Sequence, residues 1–226
     1  MNRFLKFTVR TVVCALLTLA PMIAFAQAPP VYEMPFPAPL EAYGLGWYLG
    51  GDLGPSFLQN FQSSRFGFPG GFTARTGFRF DLEPGYNFLT APALTLGGEF
   101  ETGILYNYLS SVTENGFSGS LHGDYYQVPI LANLVVHFHT DSIVLPYVGV
   151  GGGGDYSEAR IHSPGFFGYE NTNDRIDPAV QGMAGVRFRI NPVTDVGLGY
   201  KFLAAFPSGG HYIGNHSILA NFVVHF

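Results

Sequence analysis

The stretch Leu94–Tyr108, LTLGGEFETGILYNY, alternates between apolar residues and polar or small residues along its whole length. The apolar residues lie at even positions and include Leu94, Leu96, Phe100, Ile104, Tyr106 and Tyr108. The polar residues lie at odd positions and include Thr95, Glu99, Glu101 and Asn107. Because successive side chains of a β-strand point to opposite faces, this period of two predicts a strand with one apolar and one polar face.

The same alternation recurs through the chain and predicts eight strands. They cover about residues 46–56, 72–88, 94–109, 124–138, 143–157, 176–190, 195–206 and 215–226. Short connections at 89–93, 139–142 and 191–194 alternate with long ones at 57–71, 110–123, 158–175 and 207–214. Since a barrel leaves no exposed sheet edges, the pattern predicts an all-β, eight-stranded, antiparallel up-and-down barrel.

An internal repeat supports this division. Ile130–Phe138, ILANLVVHF, and Ile218–Phe226, ILANFVVHF, agree at every position but one. A fainter echo relates Gly77–Pro84 to Gly185–Pro192. The two matches predict two four-strand halves, although convergence on one strand-terminating signal explains the stronger match about as well.

The composition indicates which face of the barrel meets lipid. Hydrophobic residues make up 47% of the chain and charged residues 12%, about half the roughly 25% of a soluble domain, which excludes a disordered protein. A soluble barrel would present a polar face rich in Lys and Glu, but here that face is mostly Gly, Thr, Asn and Tyr. The apolar face is therefore predicted to point outward, which makes the barrel a transmembrane one.

Aromatic residues lie at the ends of the predicted strands, where a membrane barrel has its interfacial girdles. Those beside the short turns are Tyr86, Phe88, Phe138, Phe188 and Phe226. Those at the opposite ends are Tyr106, Tyr108, Tyr126, Tyr156 and Phe202. A soluble sandwich core is the less favoured interpretation, because the strand faces show no switch of parity between two sheets.

The first residues differ from the rest of the chain. Three basic residues precede an apolar run and the small residues Ala24-Phe25-Ala26, which predicts a signal peptide over residues 1–26. Residues 27–43 are rich in proline and predict an extended N-terminal segment. Removal of the signal would take three of the 11 basic residues and none of the 16 acidic ones, so the net charge of the remaining chain would be 8 − 16 = −8. This negative charge argues against a nucleic-acid partner. The single cysteine, Cys14, would leave with the signal.

Several segments resemble the small eight-stranded bacterial outer-membrane barrels of the opacity-protein and OmpA-like type. They are Gly46-Trp47-Tyr48-Leu49-Gly50-Gly51, Gly85-Tyr86-Asn87-Phe88, Val128-Pro129-Ile130-Leu131-Ala132-Asn133, Pro146-Tyr147-Val148-Gly149-Val150-Gly151 and the terminal Phe226. The resemblance covers residues 44–226. It implies a bacterial outer-membrane location, in contact with lipid and lipopolysaccharide, and periplasmic termini. It also implies insertion by the barrel-assembly machinery, which reads the strand ending in Phe226, and long loops available to host or surface ligands. Such barrels serve as adhesins, anchors and lipid-modifying enzymes, so the resemblance implies no single activity.

The residues that could carry chemistry do not form a convincing site. His137 and His225 occupy equivalent inward positions on opposite sides of the barrel, which favours lumen filling over a shared metal. His122, His162, His211 and His216 lie in or near long connections, where a metal site would require a convergence that the sequence does not show. The pairs His162-Ser163 and His216-Ser217 have no carboxylate in register, and neighbours on a strand point to opposite faces. We therefore assign no catalytic, cofactor-binding or metal-binding residue and no cofactor.

The predicted inward charges form a more coherent pattern. A turn centred near Thr90 would set Arg79 opposite Glu101 and Asp81 opposite Glu99, and a turn near Pro192 would set Arg189 opposite Asp195. Further inward polar residues are Arg187, Lys201, Gln181, Asn133 and Asn221, and further bulky ones are Tyr147 and Met183. Together they predict a plugged lumen, since eight strands enclose a space that side chains can fill. The glycines from Gly149 to Gly154 and Gly197 and Gly199 either permit close packing or leave a water-filled gap.

These observations favour a non-enzymatic outer-membrane barrel that serves envelope structure, adhesion or surface interaction. The alternatives are an outer-leaflet lipid-modifying enzyme similar to a lipid A deacylase, and a narrow channel.

Overall fold

The computed structural model describes residues 44–59, 71–114, 117–162, 170–208 and 212–226. These residues form nine β-strands: β1 Gly46–Gln59, β2 Gly71–Ala74, β3 Gly77–Ala91, β4 Leu94–Glu114, β5 Phe117–Phe138, β6 Val144–His162, β7 Glu170–Asn191, β8 Thr194–Ala205 and β9 Ile213–His225. A search of the same residues for a helix long and apolar enough to span a membrane finds none.

The strands close into one antiparallel barrel. From β3 to β9 each strand pairs with the next along the chain, and β1 joins β9 to β3. The short β2 pairs with β4, as β3 does, so β2 and β3 are two parts of a single barrel strand interrupted at Arg75 and Thr76. With β2 and β3 taken together, the described strands form the predicted eight-stranded barrel. The sequence pattern predicted one continuous strand over 72–88, whereas the structure interrupts it at Arg75 and Thr76.

The strands extend further than their sequence patterns indicate. The predicted connection 110–123 is mostly strand, because β4 runs to Glu114 and β5 begins at Phe117. The predicted connection 158–175 likewise shrinks, with β6 ending at His162 and β7 beginning at Glu170. The Gly, Ser and Asn residues there are typical of loops, but continued backbone pairing between adjacent strands overrides that local preference.

The predicted facing of the barrel is confirmed. Phe100, Val150 and Leu198 project from the outer surface with 50%, 65% and 62% of their area exposed. The two inward neighbours of Phe100, Glu99 and Glu101, are buried in the lumen. The apolar belt is therefore on the outside, where a transmembrane barrel contacts lipid hydrocarbon.

The aromatic girdles also form. At the end with the short turns, the rings of Trp47 and Tyr86 lie 5.0 Å apart. At the opposite end, the ring of Tyr106 lies 5.7 Å from Phe78 and 5.0 Å from Tyr126. These amphipathic rings mark the two boundaries of the apolar belt.

One predicted register is correct and one is wrong. Arg189 lies opposite Asp195, as the turn near Pro192 predicts. Arg79, however, lies opposite Leu105, and Asp81 lies opposite Gly103. The turn joining β3 to β4 is at Pro92 and Ala93 rather than near Thr90, and a register shift between Asn87 and Leu89 displaces the pairing further.

The strong repeat has a structural counterpart and the faint one does not. The segments Ile130–Phe138 and Ile218–Phe226 run along β5 and β9, which lie four strands apart around the barrel, and both end beside the short turns. In the faint repeat, Pro84 lies inside β3 opposite Leu49, whereas Pro192 lies in the turn after β7. The faint match therefore relates segments at different distances from the short turns. It does not support a structural correspondence between β3 and β7.

Candidate functional site in the barrel lumen

Eight ionisable side chains meet in the half of the lumen nearer the short turns, and we call this cluster the charged plug. Its members are Asp52 of β1, Arg79, Asp81 and Glu83 of β3, Glu99 and Glu101 of β4, Arg187 of β7 and Lys201 of β8. Each is at most 3% exposed. Strand alternation aims all of them inward, and closure of the barrel brings strands that are not neighbours into contact across the lumen.

Lys201 is the centre of the charged plug. Its Nζ lies 2.9 Å from Asp52 Oδ2, 3.0 Å from Asp81 Oδ2 and 3.1 Å from Glu101 Oε2. It also donates to Glu83 Oε1. Since β8 borders neither β3 nor β4, these contacts cross the interior and tie opposite walls together.

Arg79 links the two acidic strands. Its Nε donates to Asp81 Oδ2 at 2.6 Å, and its Nη2 donates to Glu101 Oε1 at 2.5 Å and to Gln181 Oε1 at 2.6 Å. Gln181 donates in turn to Glu101 Oε2 at 2.7 Å. The predicted proximity of Arg79 and Glu101 is thus confirmed although they are not directly opposite, because the long arginine side chain reaches along the strands. The predicted pairing of Asp81 with Glu99 does not form, and Asp81 contacts Arg79 and Lys201 instead.

Arg187 completes the charged plug on the side of the short turns. Its guanidinium carbon lies 4.6 Å from the centre of the Tyr147 ring, and its Nη2 lies 3.7 Å from Glu99 Oε1. Tyr48 donates its hydroxyl to the same Glu99 oxygen at 2.9 Å. A stacked guanidinium and a phenol therefore hold this carboxylate in place.

The two asparagines of the strong repeat reach the charged plug from opposite walls. Asn133 of β5 donates to Glu101 Oε2 at 2.8 Å, and Asn221 of β9 donates to Asp52 Oδ1 at 2.5 Å. A side chain at the facing Gly151 would place its Cβ only 1.8 Å from Asn133 Oδ1. At this position glycine makes room for the packing, which favours the close-packing interpretation over a water-filled gap.

Beyond the charged plug, toward the long connections, the lumen contains two apolar layers separated by a polar network. We call two clusters the inner apolar layer (Leu105, Leu131, Ala179, Leu203 and Ala205) and the outer apolar layer (Leu109, Tyr125, Ala159 and Ile213). Between them lies a polar network in which Ser56 Oγ donates to Asn215 Oδ1 and lies 3.1 Å from Asn107 Oδ1, and Gln127 donates to Asp155. Buried side chains from several strands thus meet at each of these levels of the described barrel.

The charged plug has the geometry of a structural closure rather than of an ion site. Asp52, Asp81 and Glu83 each have a carboxylate oxygen within 4.8 Å of the others, a spacing that could hold a metal ion. However, the ammonium group of Lys201 contacts all three and takes the position that a cation would occupy. The five carboxylates of the charged plug face three basic groups, of which Lys201 and Arg79 each contact more than one carboxylate and Arg187 contacts Glu99.

A family model for the outer membrane protein beta-barrel domain matches residues 12–226 of the chain. The chain belongs to this family. Among solved structures, Neisserial surface protein A is similar at 18% identity with a TM-score of 0.50, over 81% of this chain and 100% of that one. Ail of Yersinia pestis, solved with the heparin analogue sucrose octasulfate, is 15% identical with a TM-score of 0.44, over 79% and 99%. The protease OmpT of Escherichia coli is 10% identical with a TM-score of 0.46, over 83% and 100%. Such identities show the fold alone, and no curated protein sequence matches.

Among the described residues, no histidine belongs to a group of three side chains spaced to hold a metal ion. His137 and His225 both lie near Tyr48, with ring centres 6.3 and 5.7 Å from it, and His225 is bonded to Asp195 at 2.9 Å. His122 pairs through its backbone with His162, whose side chain lies outside the described part, as does His211. His216 projects from the outer surface.

Neither Ser–His pair forms a catalytic arrangement in the described residues. His216 faces outward, whereas Ser217 faces the lumen and donates to Asn215 Oδ1 at 3.2 Å. Ser163 lies outside the described residues. The opposite directions follow from the alternation of side chains along β9.

Two sets of residues were missed by the sequence analysis. Asp52 belongs to the charged plug, but Gly50-Gly51-Asp52-Leu53-Gly54 shows little alternation of polarity, and its partner Lys201 is remote in sequence. Outside the barrel, Tyr200, His216 and Gln59 form a hydrogen-bonded chain. Their positions on three different strands give no local signal that they meet.

Proposed function

We propose that this protein is a non-enzymatic outer-membrane barrel with a closed lumen, whose role is envelope structure or surface interaction through its long connections. The observation that carries the proposal is the filling of the lumen. The charged plug and the two apolar layers occupy successive levels, and their largest side chains, such as Arg79 and Leu105, are fully buried. Such an interior supports the wall of the barrel and offers no open path for solutes.

The proposal includes an orientation. Both ends of the barrel chain lie beside the short turns, since Tyr48 pairs with His225 and the amide of Phe226 donates to Trp47 O at 3.0 Å. In outer-membrane barrels the short turns are periplasmic and the longer loops extracellular. The termini would then be periplasmic, after export by a signal peptide over residues 1–26. Residues 27–43 would form a periplasmic segment, and the barrel-assembly machinery would read the strand that ends in Phe226.

Planar-bilayer recording tests the closed lumen. We expect no stable conductance from the purified full chain, with a 16-stranded porin as the positive control. Arg79→Ala should also stay silent, because the inner and outer apolar layers still close the lumen beyond the charged plug. Stable ohmic steps from the wild-type protein would refute the proposal and support the narrow channel.

Incubation with lipopolysaccharide tests the enzymatic alternative. We expect no release of fatty acid, because His216 and Ser217 point to opposite sides of the barrel wall. Heat-denatured protein provides the background rate. Release above that rate would overturn the non-enzymatic part of the proposal and leave the closed lumen unaffected.

A surface role is tested by replacing residues 163–169, which contain Phe166-Phe167-Gly168-Tyr169. This connection joins the long strands β6 and β7 but lies outside the described residues. Bacteria displaying the wild-type chain should adhere to host cells or matrix more than bacteria displaying a Gly-Ser replacement. Equal adherence at equal surface amounts would favour the envelope role.

A further inference from the structure

The strong repeat is confined to part of two strands. Ile130–Phe138 and Ile218–Phe226 differ only at Leu134 and Phe222. The match stops abruptly, because the residues before each segment, GDYYQVP at 123–129 and HYIGNHS at 211–217, share no residue in register. The identity therefore covers only the part of β5 and β9 nearer the short turns. Duplication of whole strands does not by itself explain a match that stops in mid-strand.

Packing accounts for the inward half of the repeat. Its two asparagines bond carboxylates of the charged plug. Its two histidines lie directly opposite tyrosines of the next strand around the barrel, His137 opposite Tyr147 and His225 opposite Tyr48. The ring centres are 6.2 Å apart in the first pair and 5.7 Å apart in the second. The inward residues thus have matching partners at two strand pairs, β5 with β6 and β9 with β1.

Packing does not account for the outward half. The outward residues that both segments share are Ile130 and Ile218, Ala132 and Ala220, Val136 and Val224, and Phe138 and Phe226. The two isoleucines are 50% and 55% exposed, and the two phenylalanines are 39% and 65% exposed. These residues lie on the lipid face, where hydrocarbon accepts apolar side chains of many shapes. Contact with lipid therefore does not require the same residue at the same position twice.

Strand β7 shows what a lipid-facing strand requires at this end of the barrel. It runs in the same direction as β5 and β9 and approaches the short turns with Val180–Phe188, VQGMAGVRF. Aligned on the final phenylalanine, this segment shares only Val186 and Phe188 with the repeat. Position in the barrel therefore does not determine the repeated sequence, and a shared recognition event before the barrel closes explains it.

Both repeat strands have an unpaired edge while the barrel assembles. The pairing of β9 with β1 joins the two ends of the barrel chain, so one edge of β9 stays free until closure. One edge of β5 stays free until β6 pairs with it. A protein that adds such a strand to its own sheet bonds the backbone and distinguishes sequences through alternate side chains. The shared outward residues form one such alternate set.

We propose that Ile130–Phe138 is an internal recognition segment for the barrel-assembly machinery, equivalent to the terminal segment Ile218–Phe226. The inference rests on the proposed reading of the terminal strand by that machinery. It adds a second point of engagement, at which the machinery pairs with the free edge of β5 until β6 replaces it. The tyrosine strand of each pair, β6 or β1, then takes over the same edge and places its ring beside the histidine.

Assembly assays with variants of the full chain test the inference. Phe138→Ala and Phe226→Ala each truncate the last residue of one segment. Phe188→Ala is the matched control, because Phe188 is an outward phenylalanine near the short turns with the same 39% exposure as Phe138. Heat-dependent gel mobility measures the rate of assembly into vesicles with and without purified barrel-assembly machinery.

The two repeat variants should depend on the machinery in the same way. With the machinery present, each should assemble about tenfold more slowly than Phe188→Ala, as expected for the loss of one aromatic anchor at a protein interface. Without the machinery, Phe138→Ala and Phe188→Ala should fold at equal rates. A photoreactive residue at Val136 or Val224 should crosslink the assembling chain to the machinery, whereas one at Val186 of β7 should not.

The possible failures are distinguishable. If only Phe226→Ala slows assembly with the machinery, the terminal reading stands and the internal segment is refuted. If Phe138→Ala slows folding equally with and without the machinery, its role is structural and the inference is wrong. Crosslinking from Val136 to a soluble periplasmic chaperone instead of the machinery would also overturn it. If neither repeat variant shows an effect that depends on the machinery, the proposed reading of the terminal strand fails as well.

Discussion

The charged plug and the inner apolar layer fill neighbouring levels of the lumen in opposite ways, and strand β8 passes from one to the other within three residues. Lys201 and Leu203 both point inward and are 1% and 0% exposed. Lys201 contacts carboxylates of β1, β3 and β4, whereas Leu203 packs in the inner apolar layer. The same wall therefore supports a hydrogen-bonded interior at one height and a hydrocarbon interior at the next.

The difference shows that burial alone does not determine how a lumen is stabilised. In the charged plug, the cost of removing charges from water is offset only while every partner stays in place. In the apolar layers, contacts are non-directional, and neighbouring side chains adjust to small changes of shape. The stability of the charged plug should therefore fall sharply when one charged group is removed, whereas the inner apolar layer should tolerate substitutions that conserve side-chain volume.

The largest effect is expected from Lys201→Met. The variant keeps the length of the side chain but removes the cation that four carboxylates of the charged plug share. Breaking a buried ion pair leaves uncompensated charge, so the free energy of unfolding should fall by about 3–5 kcal/mol. Urea unfolding in lipid vesicles measures it, with fluorescence from Trp47, the chain's one tryptophan.

A second change separates charge from shape in that variant. Adding Glu83→Gln to Lys201→Met removes one of the carboxylates left unpaired, so the double variant should regain part of the lost stability. If Lys201→Met alone costs less than about 1 kcal/mol, or if the second change costs further stability, the charge-based account of the charged plug is wrong.

An intermediate effect is expected at the repeat asparagines. Asn133→Ala and Asn221→Ala each remove a hydrogen bond to a buried carboxylate, of Glu101 and Asp52 respectively. Each should lower the free energy of unfolding by about 1–3 kcal/mol. Similar losses would show that the two repeat segments perform the same task on opposite walls, whereas a loss at only one site would argue for convergence on a shared strand-ending pattern.

The fold could be predicted from the sequence because its determinants are local. The alternation in Leu94–Tyr108 depends only on which residues are neighbours, and outward parity follows once the polar face is seen to be poor in charge. Local alternation could not predict that β4 continues to Glu114 or that β7 already begins at Glu170. The residues of these extensions are typical of loops, and only pairing with the next strand makes them extended.

The charged plug could be predicted in outline but not in its connections. Arg79, Glu101 and Lys201 were identifiable as inward charges, because strand parity alone assigns their direction. Their partners depend on register, and a turn at Pro92 and Ala93 with a shift near Asn87 moves every pairing of β3. Contacts such as Lys201 to Asp52 depend on closure of the barrel, which no local pattern encodes.

The smallest effect is expected from Leu203→Met, the apolar counterpart of Lys201→Met on the same strand. The two substitutions introduce the same residue at successive inward positions, but here one apolar side chain replaces another of similar volume among Leu105, Leu131 and Ala179. Volume-conserving changes in a packed core cost less than about 1.5 kcal/mol, and a flexible thioether can fill the remaining gaps. The same vesicle unfolding measurement should therefore separate the two variants by at least about 1.5 kcal/mol, given the expected loss at Lys201. Equal losses at both positions would mean that the lumen responds to any change of shape at β8, and that the charged plug and the inner apolar layer are stabilised in the same way.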